Sequence, residues 1–376
     1  NKRKGGLMLI RMICPTCKKA SPDPAVYRCP DCGEPFELEF EARFPIEKIR
    51  QRKANLWRYR EAIPIEADKD IVSFEEGFTP LLKFDIKGYP IWVKQDHLFP
   101  SGSYKDRGAS VLISYVRSMG IKSVVEDSSG NAGCSIAMYA SAAGIECEVF
   151  VPQVTSPAKM EQARMLGARI RKIPGSRQET AQAVLEEANH AYYASHVYNP
   201  YFMQGTKTLA YEIVEQMDWK APDRLILPVG NGTLLLGVYN GFKDLLRAEI
   251  IAEMPKLIGI QTESCNPLVS AWEQKSAKPI SVVLQPTVAE GIAIAQPVHG
   301  QRILKVVKET GGYLLSVTEE SILRNWREMA KKGFFMELTS ATAFAGIERV
   351  LENEADAKGR TVSLITGHGL KSVGHF

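Results

Sequence analysis

From Val72 onward, short apolar runs alternate with stretches of helical pattern, and this alternation limits the fold more than any other feature of the chain. Val124-Val125 is followed by a helical pattern over Ala132 to Ala143, then by Cys147 to Val151, Pro157 to Leu166, Ile170 to Ile173 and Arg177 to Asn189. Strands buried on both faces read as continuous apolar runs, and a helix between two strands lets the second lie parallel to the first. The series predicts an α/β protein with mostly parallel sheets covered by helices. At 376 residues the chain exceeds one ordinary core, so two domains and a small appendage are expected. Residues 45–72, charged and aromatic with Trp57 and Tyr59, read as a linker wrapping onto the main body. No internal repeat or low-complexity segment interrupts the series.

The appendage announces itself by its cysteines. Cys14-x-x-Cys17 and Cys29-x-x-Cys32 are two knuckles separated by eleven residues, with Pro15, Pro30 and Gly33 shaping the turns. Each short loop presents two sulfurs to one tetrahedral metal, so the four thiolates predict a metal ribbon over about residues 10–40. Zinc is the expected ion and iron the alternative; two disulfides or four free thiols are the readings without metal. The ribbon is too small to hold itself together unaided, and no open coordination position is offered, so the site reads as structural. Cys134, Cys147 and Cys265 lie in apolar or helical contexts and read as small buried hydrophobes.

Composition narrows the partners. Apolar residues at 45% and charged residues at 24% describe a water-soluble globular protein, and a net charge of +4 leaves no footprint for nucleic acid. Lys2-Arg3-Lys4 reads as a solvated tail. Leu7 to Ile10 is interrupted by Arg11 with no small-residue cleavage site after it, which argues against a signal peptide. No run approaches the roughly eighteen apolar residues of a membrane span. A cytoplasmic protein without membrane or nucleic-acid partners is expected.

Three segments carry chemistry. Pro100-Ser101-Gly102-Ser103-Tyr104-Lys105-Asp106-Arg107-Gly108 sets a lysine between the run Pro90 to Val93 and a helix beginning near Asp106. Lysine forms Schiff bases with carbonyl cofactors, although a Lys-Asp-Arg triplet alone is more often a solvated, charge-capped first turn. Asp127-Ser128-Ser129-Gly130-Asn131-Ala132-Gly133 and Pro228-Val229-Gly230-Asn231-Gly232-Thr233 each join a strand to a helix. Small residues at a helix N-terminus leave backbone N–H groups free for an anion. Either turn alone needs glycine for sharpness; two together imply two anionic groups, a phosphate and a carboxylate being the obvious pair. Near residue 366, Leu364-Ile365-Thr366-Gly367-His368-Gly369-Leu370-Lys371 runs from a strand into a turn, with Thr366 at the strand's carboxyl end. His368 reads as a turn histidine bonded to backbone, with a base as the other reading.

In this order the motifs over residues 72–372 resemble the fold type II pyridoxal-phosphate enzymes, the family of threonine synthases, threonine dehydratases, cysteine synthases and the tryptophan synthase β subunit. "PSGSYKDRG" and "TGHGLK" resemble the threonine synthases most, and some synthase-like chains also carry a zinc ribbon. The resemblance implies a cofactor between two α/β domains, residues 41–109 with 201–376 forming the larger and 110–200 the smaller, and a homodimer. It implies Lys105 as the Schiff-base lysine and acid–base group, with Gly230, Asn231, Gly232 and Thr233 around the phosphate. Asn131 would meet the phenolic oxygen, Ser128, Ser129, Gly130 and Asn131 the substrate carboxylate, and Thr366 the pyridine nitrogen. The implied activity is conversion of O-phosphohomoserine and water to threonine and phosphate.

Departures keep other readings open. Phe202 stands where an arginine for the substrate phosphate is expected, and Phe99 and Phe78 stand where asparagine is usual. Thr287 to Ile294 resembles the dehydratase pattern instead. Lys159, Lys207 or Lys371 could supply the missing cation. The alternatives are a threonine/serine dehydratase, a phosphoserine-using β-replacement enzyme such as a cysteate synthase, and an inactive paralogue acting as a binding protein.

Overall fold

A computed structural model describes residues 9–155, 157–175, 177–352 and 359–372, with the side chains of residues 157–159 and 177–178 left out. The Lys2-Arg3-Lys4 cluster and the Lys159 side chain therefore lie outside the described residues. The chain divides into two compact units, residues 1–77 with 105–206 and residues 78–104 with 207–376.

The first unit holds a four-stranded, wholly parallel sheet in the order Arg169–Ile173, Glu146–Pro152, Ser123–Glu126, Tyr192–Tyr193. Its strands and helices follow the sequence alternation closely: Asn131–Ala142, Pro157–Met165 and Arg177–Glu187 are helices. The helix Lys105–Ser118 begins at the lysine itself and is buried along almost its whole length. It crosses the short helix Pro200–Thr206 with backbones in contact. A Cβ at Gly205 would lie 1.8 Å from the Arg107 carbonyl oxygen, and one at Gly108 would lie 2.5 Å from the Phe202 ring. Glycine at both positions is what permits the crossing.

The segment read as a linker is built into this unit. Leu56–Ala62 forms a 3-10 helix in which Trp57 and Tyr59 are buried. Trp57 Nε1 donates to Ser110 Oγ at 3.0 Å, and the Val72 N–H donates to Ser114 Oγ at 2.8 Å. Leu56, Ile63, Ile65 and Val72 share one core with the helices that begin at Lys105 and Asn131. Residues 41–77 accordingly group with the first unit, and residues 105–109 with them.

The second unit holds a six-stranded sheet in the order Tyr313–Val317, Lys256–Thr262, Arg224–Pro228, Thr361–Leu364, Tyr89–Lys94, Leu81–Ile86. All neighbours are parallel except the hairpin at the Leu81–Ile86 edge. Helices Thr233–Arg247 and Leu338–Leu351 bury broad apolar faces, the second of them against the sheet core of Ile226, Ile258, Ile260 and Ile365. Inside this unit Lys94 pairs with Glu212 at 2.7 Å and Lys207 with Asp244 at 2.9 Å. Among the described residues no helix is long and apolar enough to cross a membrane.

Candidate active site

Lys105 is placed by the residue after it. Asp106 is fully buried and accepts from Ser135 Oγ at 2.6 Å, which ties the start of the Lys105 helix to the helix that begins at Asn131. Lys105 is half-buried, with its Nζ 5.6 Å from the centre of the Phe202 ring. Phe202 is itself fully buried and packs on Gly108, so this position presents an aromatic face and no charge. On the other side of Lys105 in sequence, the Tyr104 N–H donates to the Thr366 carbonyl at 2.9 Å, and Ser103 bridges to Gly367.

The turn Asp127–Asn131 sits at the carboxyl end of the strand Ser123–Glu126. Gly130 caps the helix Asn131–Ala142 without a side-chain hydrogen bond, and the Gly130 N–H lies 3.3 Å from Ser128 Oγ. Gly133 lets the helix approach the turn: a Cβ there would stand 2.0 Å from the Ser128 carbonyl oxygen. Behind the turn, Tyr193 OH donates to Asp127 Oδ1 at 3.0 Å and His196 Nδ1 pairs with Glu126 Oε1 at 2.6 Å. First-turn N–H groups that no side chain caps are available to an anion from outside.

In the second unit the corresponding turn follows the strand Arg224–Pro228. Gly232 adopts a left-handed conformation (φ +87°) as N-cap of Thr233–Arg247, again with no side-chain cap. A Cβ at Gly232 would lie 2.3 Å from Ile303 Cδ1, and one at Gly230 would lie 3.1 Å from the Ile292 Cα. The cradle is therefore backbone, closed over by the loop Thr287 to Ile294. Asn231 uses its side-chain oxygen to accept from the Val298 N–H at 3.2 Å, which fixes the turn. The geometry suits a phosphate: N–H donors, a helix dipole and no side chain in the way.

One helix start connects that cover to Thr366. Thr339 Oγ1 accepts from the Gly291 N–H at 3.2 Å, and the next residue, Ser340, lies 2.8 Å from Thr366 Oγ1. Thr366 is only 3% exposed, and Ser340 Oγ also accepts from the backbone N–H groups of Thr366 and Gly367. The sequence motifs do not single out Ser340. It lies in a run of small residues that reads as helix interior, and its contact with Thr366 is purely tertiary. His368 is a turn residue: its Nδ1 accepts from the Leu370 N–H at 3.2 Å.

Of the three lysines considered for a substrate phosphate, Lys207 is buried and engaged by Asp244. Burial lowers the pKa of its amine while the Asp244 carboxylate opposes that shift. Lys371 lies along the Pro100–Ser103 loop, its Cε 3.1 Å from where a Gly102 Cβ would be.

In the ribbon, the strand Arg11–Ile13 pairs antiparallel with Glu37–Glu39, and the two knuckles repeat one geometry. Lys18 and Gly33, each the residue after the second cysteine of its pair, both have positive φ. The sulfurs of Cys14, Cys17, Cys29 and Cys32 all lie within 4.8 Å of one another, with Cys14 and Cys32 at 3.5 Å. Four sulfurs at tetrahedral zinc stand about 3.8 Å apart, so the donor set fits that ion.

Comparison with known proteins identifies the family. The family described as pyridoxal-phosphate dependent enzyme matches residues 72–367. Threonine synthase of Methanocaldococcus jannaschii is 34% identical, covering 93% of this chain and 89% of its own. Threonine synthase of Methanosarcina acetivorans is 33% identical with the same coverage of both chains. The solved structure of the processed form of threonine deaminase isoform 2 from Solanum lycopersicum shares the fold. Its TM-score is 0.69 at 21% identity, over 84% of this chain and 86% of that one. With two uncapped helix starts, a lysine at a third and a hydroxyl at a strand end, this chain belongs to the pyridoxal-phosphate-dependent enzymes.

Proposed function

We propose that this protein is a threonine synthase, converting O-phosphohomoserine and water to threonine and phosphate. The observation that carries the reading is the likeness to threonine synthases over 93% of the chain. When bound, pyridoxal phosphate supplies a reactive aldehyde and a ring that withdraws electrons from the substrate's α-carbon. Lys105 would hold the aldehyde and, once displaced by the substrate amine, carry the α-proton on its Nζ. The N–H groups from Gly230 to Thr233 would hold the cofactor phosphate, and Asn131 its phenolic oxygen. Ser128, Ser129, Gly130 and Asn131 would hold the substrate carboxylate, fixing which face of the α-carbon Lys105 meets. Thr366 would meet the ring nitrogen. The protein would act as a cytoplasmic homodimer, as the family resemblance implies.

A second reading rests on Phe202. A buried aromatic at that position offers a substrate phosphate no charge-assisted pairing, which suits a dehydratase acting on threonine or serine. Comparing turnover of O-phosphohomoserine, threonine, serine and phosphoserine separates the two. Phosphate and threonine formed from O-phosphohomoserine alone support the synthase, and ammonia released from threonine or serine replaces it with the dehydratase. Borohydride reduction of cofactor-saturated protein should label Lys105 in peptide maps; an unlabelled Lys105 defeats both.

Cys14, Cys17, Cys29 and Cys32 would hold a structural zinc ion. The ribbon's own buried core is Cys14, Cys29 and Phe36, too little to fold without metal. Metal analysis should find about one zinc per chain, and a chelator should expose the ribbon to protease; a metal-free protein with an intact ribbon would refute the assignment.

A further inference from the structure

Ser340 is a hydroxyl whose hydrogen-bonding capacity can be counted in full. It is completely buried, and its Oγ accepts from the Thr366 N–H at 2.9 Å and the Gly367 N–H at 3.2 Å. A serine oxygen has two lone pairs and one proton. Both lone pairs are committed to backbone donors, so across the 2.8 Å contact the proton must go from Ser340 to Thr366 Oγ1. Thr366 is then the acceptor in that bond, and among the described residues nothing accepts its own proton. A buried O–H without an acceptor is costly, and it is relieved by a ligand atom that carries a lone pair.

We propose that Ser340 sets the direction of the hydrogen bond at the cofactor ring: it makes Thr366 a donor, so the pyridine nitrogen is held as an unprotonated acceptor. The inference rests on the reading that Thr366 meets that nitrogen. The reverse bond, from a protonated ring to the second lone pair of Thr366, would leave the buried Thr366 proton without an acceptor. An unprotonated ring withdraws electrons weakly. Loss of a leaving group from the substrate is thereby favoured over transfer of its amino group to the cofactor. Ser340 touches no reacting atom and acts as a positioning residue through Thr366.

The test uses holoenzyme loaded with pyridoxal phosphate isotope-labelled at the ring nitrogen, whose NMR resonance reports protonation directly. In the wild type the nitrogen should be unprotonated at neutral pH. In Ser340→Ala, Thr366 is free to turn and accept. The nitrogen should then become partly protonated, and conversion of the cofactor to its amine form should rise about tenfold, the weight of one hydrogen bond. Ser340→Cys, close in size but a poor donor and acceptor, gives the same readout if the alanine variant does not fold. Ser340→Thr, which keeps the hydroxyl, should restore the wild-type resonance. A protonated nitrogen in the wild type, or a resonance that Ser340→Ala and Ser340→Cys leave in place, overturns the proposal. Thr366→Val tests the underlying reading separately. If that variant does not move the resonance, Thr366 does not meet the ring, and the inference falls with its premise by a different signature.

Discussion

The turns at Ser128–Asn131 and Gly230–Thr233 are made of similar residues at similar junctions, yet their surroundings differ. The first is partly open to solvent, with Gly130 exposed, while Gly230, Gly232 and Thr233 in the second are buried. The first is backed by hydrogen bonds to carboxylates, Glu126 with His196 and Asp127 with Tyr193. The second is enclosed by Ile292, Ile303 and a loop pinned to Thr339. A site that binds and releases an amino acid each turnover needs access, whereas a cofactor held through many turnovers benefits from enclosure. The difference in burial suits the division of labour proposed above, in which the open turn would take the substrate carboxylate and the closed one the cofactor phosphate.

Substitutions at the glycines can break that division. The largest effect is expected from Gly133→Ala. The new Cβ meets the Ser128 carbonyl at 2.0 Å, and a backbone oxygen cannot rotate away. The open turn must shift by about an ångström, so kcat/KM for the amino acid should fall roughly 100-fold, while cofactor content, held chiefly through the phosphate turn and only in part by Asn131, should fall far less. Gly232→Ala places a side chain at φ +87° and against Ile303, at a cost of about 2–4 kcal/mol. Part of that should appear as a roughly tenfold weaker hold on pyridoxal phosphate, read by cofactor titration. If the first variant loses cofactor and the second only substrate, the assignment of the two turns is inverted.

The smallest effect tests the enclosure of the second unit by pH. His97 is buried there, its ring centre 5.8 Å from that of His368. Burial first, then the His368 charge, holds its imidazole down to about 4 from an ordinary 6.5, against the pull of Asp96. The folded state keeps His97 neutral where the unfolded chain takes up a proton. Its contribution is fully present above about pH 6.5 and is lost as pH falls toward 4. After allowance for solvent screening this amounts to about 1–2 kcal/mol, and thermal unfolding at pH 7 and 5 should show a smaller drop in His97→Gln than in the wild type. An equal drop in both would mean that His97 contributes nothing to the pH dependence.

Much of the fold is legible in the order of the amino acids alone. Period and turn residues predict the parallel sheets, because a strand covered on both faces leaves an apolar run between turn residues. The knuckles are equally plain, since metal geometry dictates ligand spacing. Trp57 and Tyr59 read as part of a linker because a 3-10 helix lacks the 3.6-residue apolar stripe that marks a packed helix. The boundary between units at Tyr104 and Lys105 falls inside one continuous motif, so composition does not mark it. Ser340 is invisible at that level for a deeper reason: its role depends on which lone pairs are already occupied, and that is settled only when the chain is folded.

The strand Thr361–Leu364 occupies the interior of the six-stranded sheet, between Arg224–Pro228 and Tyr89–Lys94. During synthesis the hairpin made near residue 90 thus waits for some 270 further residues before its inner partner leaves the ribosome. Until then the sheet exists as two fragments with bare inner edges, and Thr366 has not yet been made. The site proposed for the vitamin-derived group, with Thr366 in it, would consequently be one of the last things this polypeptide completes, and a nascent chain would need shelter in the interval.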